Sequence, residues 1–474
     1  MTARMTLAAC VGIGVVMVSG PVWAQALSSD NTTRIEQDGL ENSARIDQAG
    51  SSNTAGTDAD PLLQQGVENG LTIRQTGESN QVGAGPEGLL QENTAPGLPG
   101  VNIAWIEQEG GGNRVDGVLQ QIEGIVPGDG NRLLVLQNDG AGFGFNVIDR
   151  VQQILGAGLP GQSAEITMDG TGNRIELIQQ DGLSNLRREE NSIFASITGT
   201  GNGTQDLRGV AQVSGVQAST LVQTGGSEDT LSNGNIMQLE IQANGTAFGI
   251  LQRGRGNLTG PIVIVGDGNA IGIDQDGTDN ELSLGLIEGA DNEIGLAQFG
   301  TNTAALSLLG ESDRNSVRID QMGSNDATVT VEGDDNVLLT DQGYLAGAGG
   351  TNNAELGVTG NDNRAELGQN GDGNTMVLLI EGDFNNNVAG GFTSAIVPSG
   401  ALPGVYIQAG VLNSAVATVE GDANVSSWFQ SGALNTILMT VTGDENEAYL
   451  RQIGNGNSAG LNQSGRSNVA VLLQ

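Results

Sequence analysis

Residues 443–452, Gly-Asp-Glu-Asn-Glu-Ala-Tyr-Leu-Arg-Gln, contain one copy of the unit that decides the fold. Small, apolar or amide side chains at Asn446, Ala448, Leu450 and Gln452 alternate with larger or charged ones at Glu447, Tyr449 and Arg451. A period of two is that of a β-strand with one inward and one outward face. The unit therefore predicts a seven-residue strand, with the second set facing outward, joined to the next strand by a four-residue corner containing Gly.

The unit repeats without interruption through the last part of the chain. An interval of eleven residues separates Asn413, Asn424, Asn435, Asn446, Asn457 and Asn468, and the same interval separates the corner glycines Gly410, Gly421, Gly432, Gly443, Gly454 and Gly465. One such strand is too short to bury a core alone, so stacking must supply it. The repeat predicts an all-β protein, a β-solenoid of stacked strand-turn-strand coils.

The residue six places after each Asn indicates how many strands form one coil. Going along the chain it reads Val263, Gln275, Leu286, Gln298, Leu308, Gln321, Val331, Gln342, Thr359, Gln369 and Ile380. Gln alternates with aliphatic residues or Thr, so two strands per coil, of about 22 residues, would stack Gln on Gln. A ladder of stacked amides spaced by ~4.8 Å gives a buried Gln its hydrogen-bond partners.

Composition excludes several classes of function. The chain has 55 acidic and 18 basic residues, a net charge of −37, which disfavours binding to nucleic acid or to an anionic membrane surface. It has no His, and its single Cys lies at position 10, so most nucleophile and base arrangements are absent. The acidic residues recur with the repeat and form no isolated cluster. We expect no enzyme activity and no cofactor.

The N-terminus reads as a secretory signal peptide. Arg4 precedes an apolar run from Leu7 to Val18, and Ala24 is a small residue suited to cleavage before Gln25. The run is too short to span a membrane, and no other stretch predicts membrane insertion. Residues 7–10, Leu-Ala-Ala-Cys, resemble a lipoprotein box, but the apolar run follows the Cys instead of preceding it.

The predicted organisation has four parts: the signal peptide at 1–24, N-terminal repeats at 25–125 with an insertion at 83–100, irregular repeats with insertions at 126–256, and regular repeats at 257–474. The N-terminal part has a further break at 56–63, and we expect the 83–100 insertion to be a loop leaving a corner, since its prolines cannot continue a ladder. The last strand ends at Gln474 with no polar segment after it, which predicts an uncovered edge able to pair with another strand.

These residues resemble the curlin repeat family, the subunits of curli, whose repeat is roughly Ser-x5-Gln-x-Gly-x-Gly-Asn-x-Ala-x3-Gln. Residues 446–463 match through Gln452, Gly454, Gly456, Asn457, Ala459 and Gln463, with Asn446 in place of Ser. Residues 31–48 match through Gln37, Gly39, Asn42, Ala44 and Gln48, with Glu41 at the second Gly. The chain departs from the family in its length, its corner acids and its aliphatic residues at alternate Gln positions.

The resemblance implies a secreted structural protein that forms or joins extracellular, curli-like functional amyloid fibres of the biofilm matrix and mediates adhesion. Its partners would be copies of itself or other curlin-like subunits, meeting through open solenoid ends, and an outer-membrane secretion machinery. The predicted stacking ladder consists of Asn31, Gln37, Asn42, Gln48, Asn102, Gln108, Gln275, Gln298, Gln321, Gln342, Gln369, Asn424, Gln430, Asn446, Gln452, Asn457, Gln463, Asn468 and Gln474.

Two alternatives to a polymerising subunit stay open. A monomeric β-solenoid could act as an adhesin or a binding rod for ice or sugar, with outward aromatics such as Trp105 and Tyr449 stacking on sugars. Varied outward positions, for example Arg34 and Glu36, disfavour ice binding.

Corner acids at Asp267, Asp334, Asp372, Asp422 and Asp444 offer oxygen ligands for calcium. The eleven-residue period differs from that of calcium-binding β-rolls, and turn chemistry explains Gly, Asp and Asn without a metal.

Overall fold

The computed structural model describes residues 3–8, 22–26, 30–85, 88–93, 101–122, 130–139, 145–155, 161–182, 191–225, 234–310, 312–343, 351–387 and 391–474. The chain forms two compact units. The N-terminal unit comprises Met1–Leu207 and Gly215–Leu258, and the C-terminal unit comprises Arg208–Ser214 and Thr259–Gln474. Each unit contains two sheets of stacked strands, called sheets I and II in the N-terminal unit and sheets III and IV in the C-terminal unit.

The strands are numbered in chain order. Sheet I contains β1 (Ala3–Ala8), β3 (Thr32–Leu40), β5 (Thr54–Ala55), β6 (Leu62–Val67), β8 (Gln81–Val82), β9 (Leu89–Asn93), β11 (Arg114–Ile122), β13 (Val147–Leu155), β15 (Arg174–Ile175), β16 (Leu177–Gly182), β18 (Thr220–Gly225) and β20 (Ala247–Arg255). Sheet II contains β2 (Val22–Ala26), β4 (Ser43–Ser51), β7 (Gly70–Glu78), β10 (Ile103–Gly111), β12 (Arg132–Asn138), β14 (Ser163–Thr171), β17 (Ser192–Thr200), β19 (Ile236–Gln242) and, at the division between the units, β21 (Leu258–Thr259).

The C-terminal unit continues the same alternation. Sheet III contains β23 (Ala270–Thr278), β26 (Glu293–Gly300), β28 (Ser316–Gly323), β30 (Val337–Gln342), β32 (Arg364–Asp372), β34 (Val405–Val411), β36 (Val425–Ala433), β38 (Glu447–Ile453) and β40 (Val469–Leu473). Sheet IV contains β22 (Ile262–Ile264), β24 (Glu281–Ser283), β25 (Gly285–Ile287), β27 (Thr303–Leu309), β29 (Asp326–Glu332), β31 (Asn353–Thr359), β33 (Thr375–Glu381), β35 (Ser414–Glu420), β37 (Thr436–Thr442) and β39 (Ser458–Ser464). A short 3-10 helix spans Gly209–Ala211.

The stacking confirms the predicted all-β solenoid with two strands per coil. Successive half-coils, each formed by one strand or by two short strands such as β5 and β6, alternate between two sheets. Apart from β1, the strands pair in parallel with those one coil further on. The register is that of the sequence repeat: β36 pairs with β38 so that Trp428 lies beside Leu450 and Gln430 beside Gln452. An offset of 22 residues therefore brings equivalent positions of the repeat into contact.

The alternate positions of each strand face inward and form the core. In β38 the side chains of Ala448, Leu450 and Gln452 are fully buried, as the repeat predicts. Tyr406 and Trp428 occupy the same inward row, with ring centroids 4.4 Å apart. These two rings thus pack against each other, tilted by 50°, at positions that other coils fill with aliphatic residues.

Three inward assignments from the sequence are wrong by one residue. Val263, Leu286 and Thr359 face outward, and the fully buried neighbours Ile264, Ile287 and Val358 take the inward position. An additional residue between β21 and β22, and another between β24 and β25, shifts the register as a bulge does. In β31 the anchor is Asn352, which is fully buried, whereas Asn353 begins the outward row.

The irregular stretches of the N-terminal unit also contain strands. The break at 56–63 separates β5 from β6, and the predicted loop at 83–100 contains β9, which pairs with β6 and β11. The expectation that 83–100 simply leaves the coil is therefore wrong for residues 89–93. Pro86, Pro96 and Pro99 lie outside the described residues, as does Asn185.

The predicted signal peptide contributes two strands in the full-length chain. β1 pairs antiparallel with β3, and β2 pairs in parallel with β4. The predicted end of the signal peptide at residue 24 falls within β2. Cleavage between Ala24 and Gln25 stays a prediction, and residues 9–21 lie outside the described part of the chain.

Two segments cover the outer face of sheet III. Residues 208–214 pack on β23, β26 and β28, where a Cβ on Gly272 or Gly295 would lie 2.0 Å from a backbone oxygen of this segment. Residues 391–404 cover β38. Glu447 accepts hydrogen bonds from the backbone N–H groups of Thr393 at 2.9 Å and Ser394 at 3.0 Å.

This cover buries two side chains that point outward from their strand. Glu447 and Tyr449 lie on the outer face of their strand, as predicted, but both are only 7% exposed. Phe392 packs edge-on against the Tyr449 ring at 6.1 Å, so Tyr449 presents no free face to a sugar. Trp105, on β10, is 48% exposed.

Candidate assembly site

A column of Gln side chains runs through sheet III. In Gln275, Gln298, Gln321, Gln342, Gln369, Gln408, Gln430 and Gln452, each Nε2 donates to Oε1 of the next Gln, which for Gln452 is Gln474, at 2.8–3.0 Å. Every bond of this column points the same way along the chain. The ladder therefore has a direction.

The second N–H of these amides ties the two sheets together. Nε2 of Gln342 also donates to the carbonyl oxygen of Asp326 at 2.9 Å, and Nε2 of Gln369 donates to that of Asn353 at 2.9 Å. Both acceptors begin strands of sheet IV. A buried amide with both donors satisfied avoids the desolvation cost of about 1–3 kcal/mol that an unpaired group would incur.

Sheet I has an equivalent column, most of which the sequence analysis missed. It comprises Gln37, Gln64, Gln91, Gln120, Gln153, Gln180, Gln223 and Gln252, joined by Nε2-to-Oε1 bonds of 2.5–3.1 Å. Only Gln37 was identified from its spacing. Gln64 and Gln91 follow chain breaks that hide the interval of eleven residues. The remaining signal was a Gln two residues before a Gly or Asn, as in Gln64 to Gly66 and Gln91 to Asn93.

The inward column of sheets II and IV, which faces the Gln columns of sheets I and III, changes from Gln to aliphatic residues along the chain. In sheet II, Gln48, Gln75, Gln108 and Gln137 form a short ladder with bonds of 2.8–2.9 Å. Met168 and Ile197 then replace Gln in the same register. In sheet IV the column is aliphatic from Ile264 to Val441.

Gln463 on β39 is the exception in sheet IV. It lies beside Val441, not beside another Gln, and its side chain is 6% exposed. Neither its Nε2 nor its Oε1 has a hydrogen-bond partner. The structure thus leaves one predicted ladder residue out of any ladder, as a buried amide with unused donors and an unused acceptor.

The Asn anchors stack at the corners by a different set of bonds. Oδ1 of Asn424 accepts from the backbone N–H of Asn446 at 3.0 Å and from its Nδ2 at 3.1 Å. Nδ2 of Asn446 also donates to the Gly465 carbonyl at 2.9 Å. Asn31, Asn42 and Asn102 are likewise buried, whereas Asn457 is half-buried and Asn468 is exposed in the last coil.

The corner glycines allow successive corners to lie against each other. Gly432 has a φ of 118°, and a Cβ there would lie 1.9 Å from the Gly454 carbonyl oxygen. At many corners the residue just before the Asn is also left-handed, with φ of 58° at Glu41 and at Leu434. Glu41 therefore adopts the conformation for which the curlin pattern has its second Gly.

The acidic corners form a hydrogen-bonded column of their own. Oδ1 of Asp334 accepts from the backbone N–H of Asp313 at 2.9 Å, and Oδ1 of Asp444 accepts from that of Asp422 at 3.2 Å. Asp267, Asp334, Asp422 and Asp444 precede strands of sheet III, but Asp372 lies at the opposite corner, before β33. Among the described residues no group of three or more His, Cys, Asp or Glu side chains is placed to hold a metal ion.

Two Arg–acid pairs brace these corners. Arg314 binds the Asp335 carboxylate through Nε at 2.8 Å and Nη2 at 2.7 Å, which lowers the pKa of Asp335 below its usual value. Arg466 donates to Glu445 at 2.7 Å and likewise lowers its pKa. All four side chains are largely exposed, so these pairs are weak contributors to stability.

The comparison with known families agrees with this geometry. Residues 29–56 match the curlin associated repeat. This curlin-like stretch contains β3 and β4 and the first residues of both amide columns. No curated protein matches the chain significantly. Within the part of the chain that the structure describes, no helix is long and apolar enough to cross a membrane.

Proposed function

We propose that the protein is a secreted structural subunit that forms or joins curli-like fibres of the cell-surface matrix and contributes to adhesion. Copies of the chain, or other curlin-like subunits, would stack end to end so that the two-sheet coil continues across the joint. The chain reaches the surface through an outer-membrane secretion machinery in this proposal. Its role is structural and not catalytic.

The directional amide ladder carries the proposal. Each Nε2 of the sheet III column donates to the coil that follows it in the chain. Gln474 Nε2 donates to the Ser458 carbonyl at 3.2 Å, and its second N–H would be available to an Oε1 placed above it. A strand added in the same direction, with an inward Gln such as Gln37, would extend the ladder by one bond.

Gln463 supports the same direction of growth. A buried amide without partners costs about 1–3 kcal/mol, which an aliphatic residue at this position would avoid. An added strand whose inward column carries an amide would provide an acceptor for its Nε2. The unpaired amide therefore fits a strand edge that is completed by a neighbouring molecule.

The rival function is a monomeric adhesin or binding rod of the same fold. The exposed Trp105 on sheet II favours it, since an exposed indole can stack on a sugar. A monomeric rod would need no partner at Gln463.

Assembly of the purified mature chain, residues 25–474, tests the two functions. We expect dye-binding fibres that give a ~4.7 Å meridional reflection, the spacing of stacked strands. Fibre formation should be seeded by preformed fibres. A chain that remains a soluble monomer at high concentration over long incubation would contradict the proposal and favour the rod.

A further inference from the structure

The outer face of sheet IV differs from the other outer surfaces of the molecule in its charge. From β27 to β39 the first three outward positions of each strand form three rows, in which only Asp326 and Glu355 are charged. We call these three rows the neutral face. Their last four strands carry Thr375, Val377, Leu379, Ser414, Val416, Thr418, Thr436, Leu438, Thr440, Ser458, Gly460 and Asn462.

The centre of the neutral face is apolar and solvent-exposed. Val416 is 40% exposed, Leu438 55% and Leu379 37%, and rows of Thr and Ser flank them. The two described segments that lie over an outer face in this unit, 208–214 and 391–404, both cover sheet III. Sheet IV receives no such cover from the described residues.

The outer face of sheet II provides the contrast. Its rows include Arg45, Asp47, Arg74, Glu107 and Glu165, with ion pairs such as Arg74 to Glu107 at 2.9 Å. In a chain of net charge −37, a broad face with almost no charge is the surface on which two copies can approach without opposing carboxylates. This charge distribution favours a second copy of the chain as the occupant.

We infer that the neutral face pairs with the neutral face of a second copy, sheet against sheet. The pairing follows a two-fold axis parallel to the stacking direction, so the two solenoids run in the same direction. This axis reverses the strands. The fourth outward position carries Glu381 in β33 and Glu420 in β35. In the dimer these glutamates of one copy lie beside the row of the second copy that contains Ser414 and Thr436. Opposed carboxylates are thereby avoided along β33, β35, β37 and β39, whereas in β29 Asp326 faces Glu332 of the second copy.

The dimensions suit a stable contact. Seven strands at ~4.8 Å spacing and about 20 Å of strand length give a footprint of roughly 650 Å² per copy. A standard protein interface buries about 800 Å² per partner, so the face has nearly the required area. Both copies share the same strand spacing, so apolar side chains such as Leu438 and Val416 can interdigitate along the whole face.

Sedimentation of the mature chain tests the inference without requiring fibres. We expect a monomer–dimer equilibrium that shifts toward dimer as salt screens the net charge. The double variant Val416→Glu/Leu438→Glu places four carboxylates in the dimer interface and should weaken dimerisation by about 100-fold or more. The matched control is Phe194→Glu, an equally outward, 43% exposed position on sheet II, and it should leave dimerisation unchanged.

The other possible results also test whether the neutral face forms the dimer. A wild-type chain that is monomeric at every concentration would overturn the inference, as would equal dimerisation of wild type and double variant. Binding of the monomeric chain to microcrystalline cellulose, lost in the double variant, would assign the face to a polysaccharide instead. If circular dichroism shows that the double variant is unfolded, Leu438→Thr replaces it, with a several-fold weakening expected. Absence of fibres together with a face-dependent dimer would reject the proposed function alone.

Discussion

The inward columns of sheets III and IV solve the same packing problem with opposite chemistry. Both columns lie in the same coils and have the same strand spacing, yet one is an unbroken row of Gln and the other is aliphatic from Ile264 to Val441. The aliphatic column supplies burial that is not directional. The amide column fixes register and direction, because each Gln needs its neighbour at hydrogen-bond distance.

The comparison teaches that a stacked coil needs only one directional column. Amide bonds across to sheet IV, such as Gln342 to the Asp326 carbonyl, hold the two sheets together. The aliphatic side can therefore vary between Leu, Val and Ile. In the N-terminal unit both columns begin as Gln, and this is the region that matches the curlin associated repeat.

Exchanging residues between the columns should have the largest effect. Val331→Gln would bury an amide between Leu308 and Val358, and we expect a loss of about 2–4 kcal/mol in the free energy of unfolding. Gln342→Leu would leave Gln321 without an acceptor and Gln369 without a donor, a loss of about 1–3 kcal/mol. Urea unfolding of both variants, with Val331→Ile as control, measures the difference. If Val331→Gln is as stable as wild type, the columns are interchangeable and the comparison fails.

The inward and outward faces of one strand give a sharper test. Gln452 lies between Gln430 and Gln474 in the ladder, whereas the neighbouring Arg451 is exposed. Gln452→Ala should cost about 1–3 kcal/mol by leaving adjacent amides unpaired, and Arg451→Ala should stay within ~0.5 kcal/mol. Thermal unfolding of the two variants is the measurement. Equal shifts would remove the support for the amide column as a stabilising element.

The corners extend the comparison. Leu434 precedes a strand of sheet IV and has a left-handed backbone with φ of 58°, which is unfavourable for a residue with a Cβ. Its side chain is 62% exposed, so burial does little to offset this cost. Leu434→Gly should raise the free energy of unfolding by about 1 kcal/mol. Leu438→Gly, in the following strand, should instead lower it by about 0.5–1 kcal/mol. Destabilisation by both changes would show that Leu434 contributes more than its exposure indicates.

We expect the smallest effect at the acidic corners before sheet III, where the pairing of Arg314 with Asp335 makes stability depend on pH. Arg314 lowers the pKa of Asp335 in the folded chain, so their pairing contributes above the unfolded pKa and is lost as pH falls through the folded value. In Arg314→Gln the pKa of Asp335 should rise toward its ordinary value of about 3.9. Carbon NMR of protein labelled at Asp and Glu measures it, with an unchanged pKa of Glu445 as control. An unaltered Asp335 pKa would contradict the pairing.

The sequence predicted the elements that depend on local spacing. Strand alternation, two strands per coil and the Gln column of sheet III follow from an interval of eleven residues that local turn chemistry enforces. Residues whose partners are distant in the chain were not predictable in this way. Glu447 and Tyr449 occupy outward positions of the repeat, and they are buried only because residues 391–404 pack over them. Gly272 and Gly295, neighbours in register, were the one local signal of a segment lying over sheet III.

Register errors arose where two choices have nearly equal sequence support. Asn352 and Asn353 are adjacent, and a shift of one residue exchanges the inward Val358 for the outward Thr359. The position of Gln463 beside Val441 follows from the 22-residue coil, but its lack of any other hydrogen-bond partner does not. That unpaired amide became visible only with the stacked coordinates.

The central claim is that the amide columns continue across a joint between molecules. The end variant Gln463→Val/Gln474→Leu removes both terminal amides, and the control Asn462→Val/Leu473→Gln changes outward residues of the same terminal segments. Elongation of wild-type seeds by each mature chain is the most direct measurement.

We predict that the end variant elongates about tenfold more slowly than wild type, because a lost amide pair is worth about 1.4 kcal/mol. The control should elongate within about twofold of wild type, a change under ~0.5 kcal/mol. An end variant that elongates as fast as wild type would contradict the claim that the ladder crosses the joint.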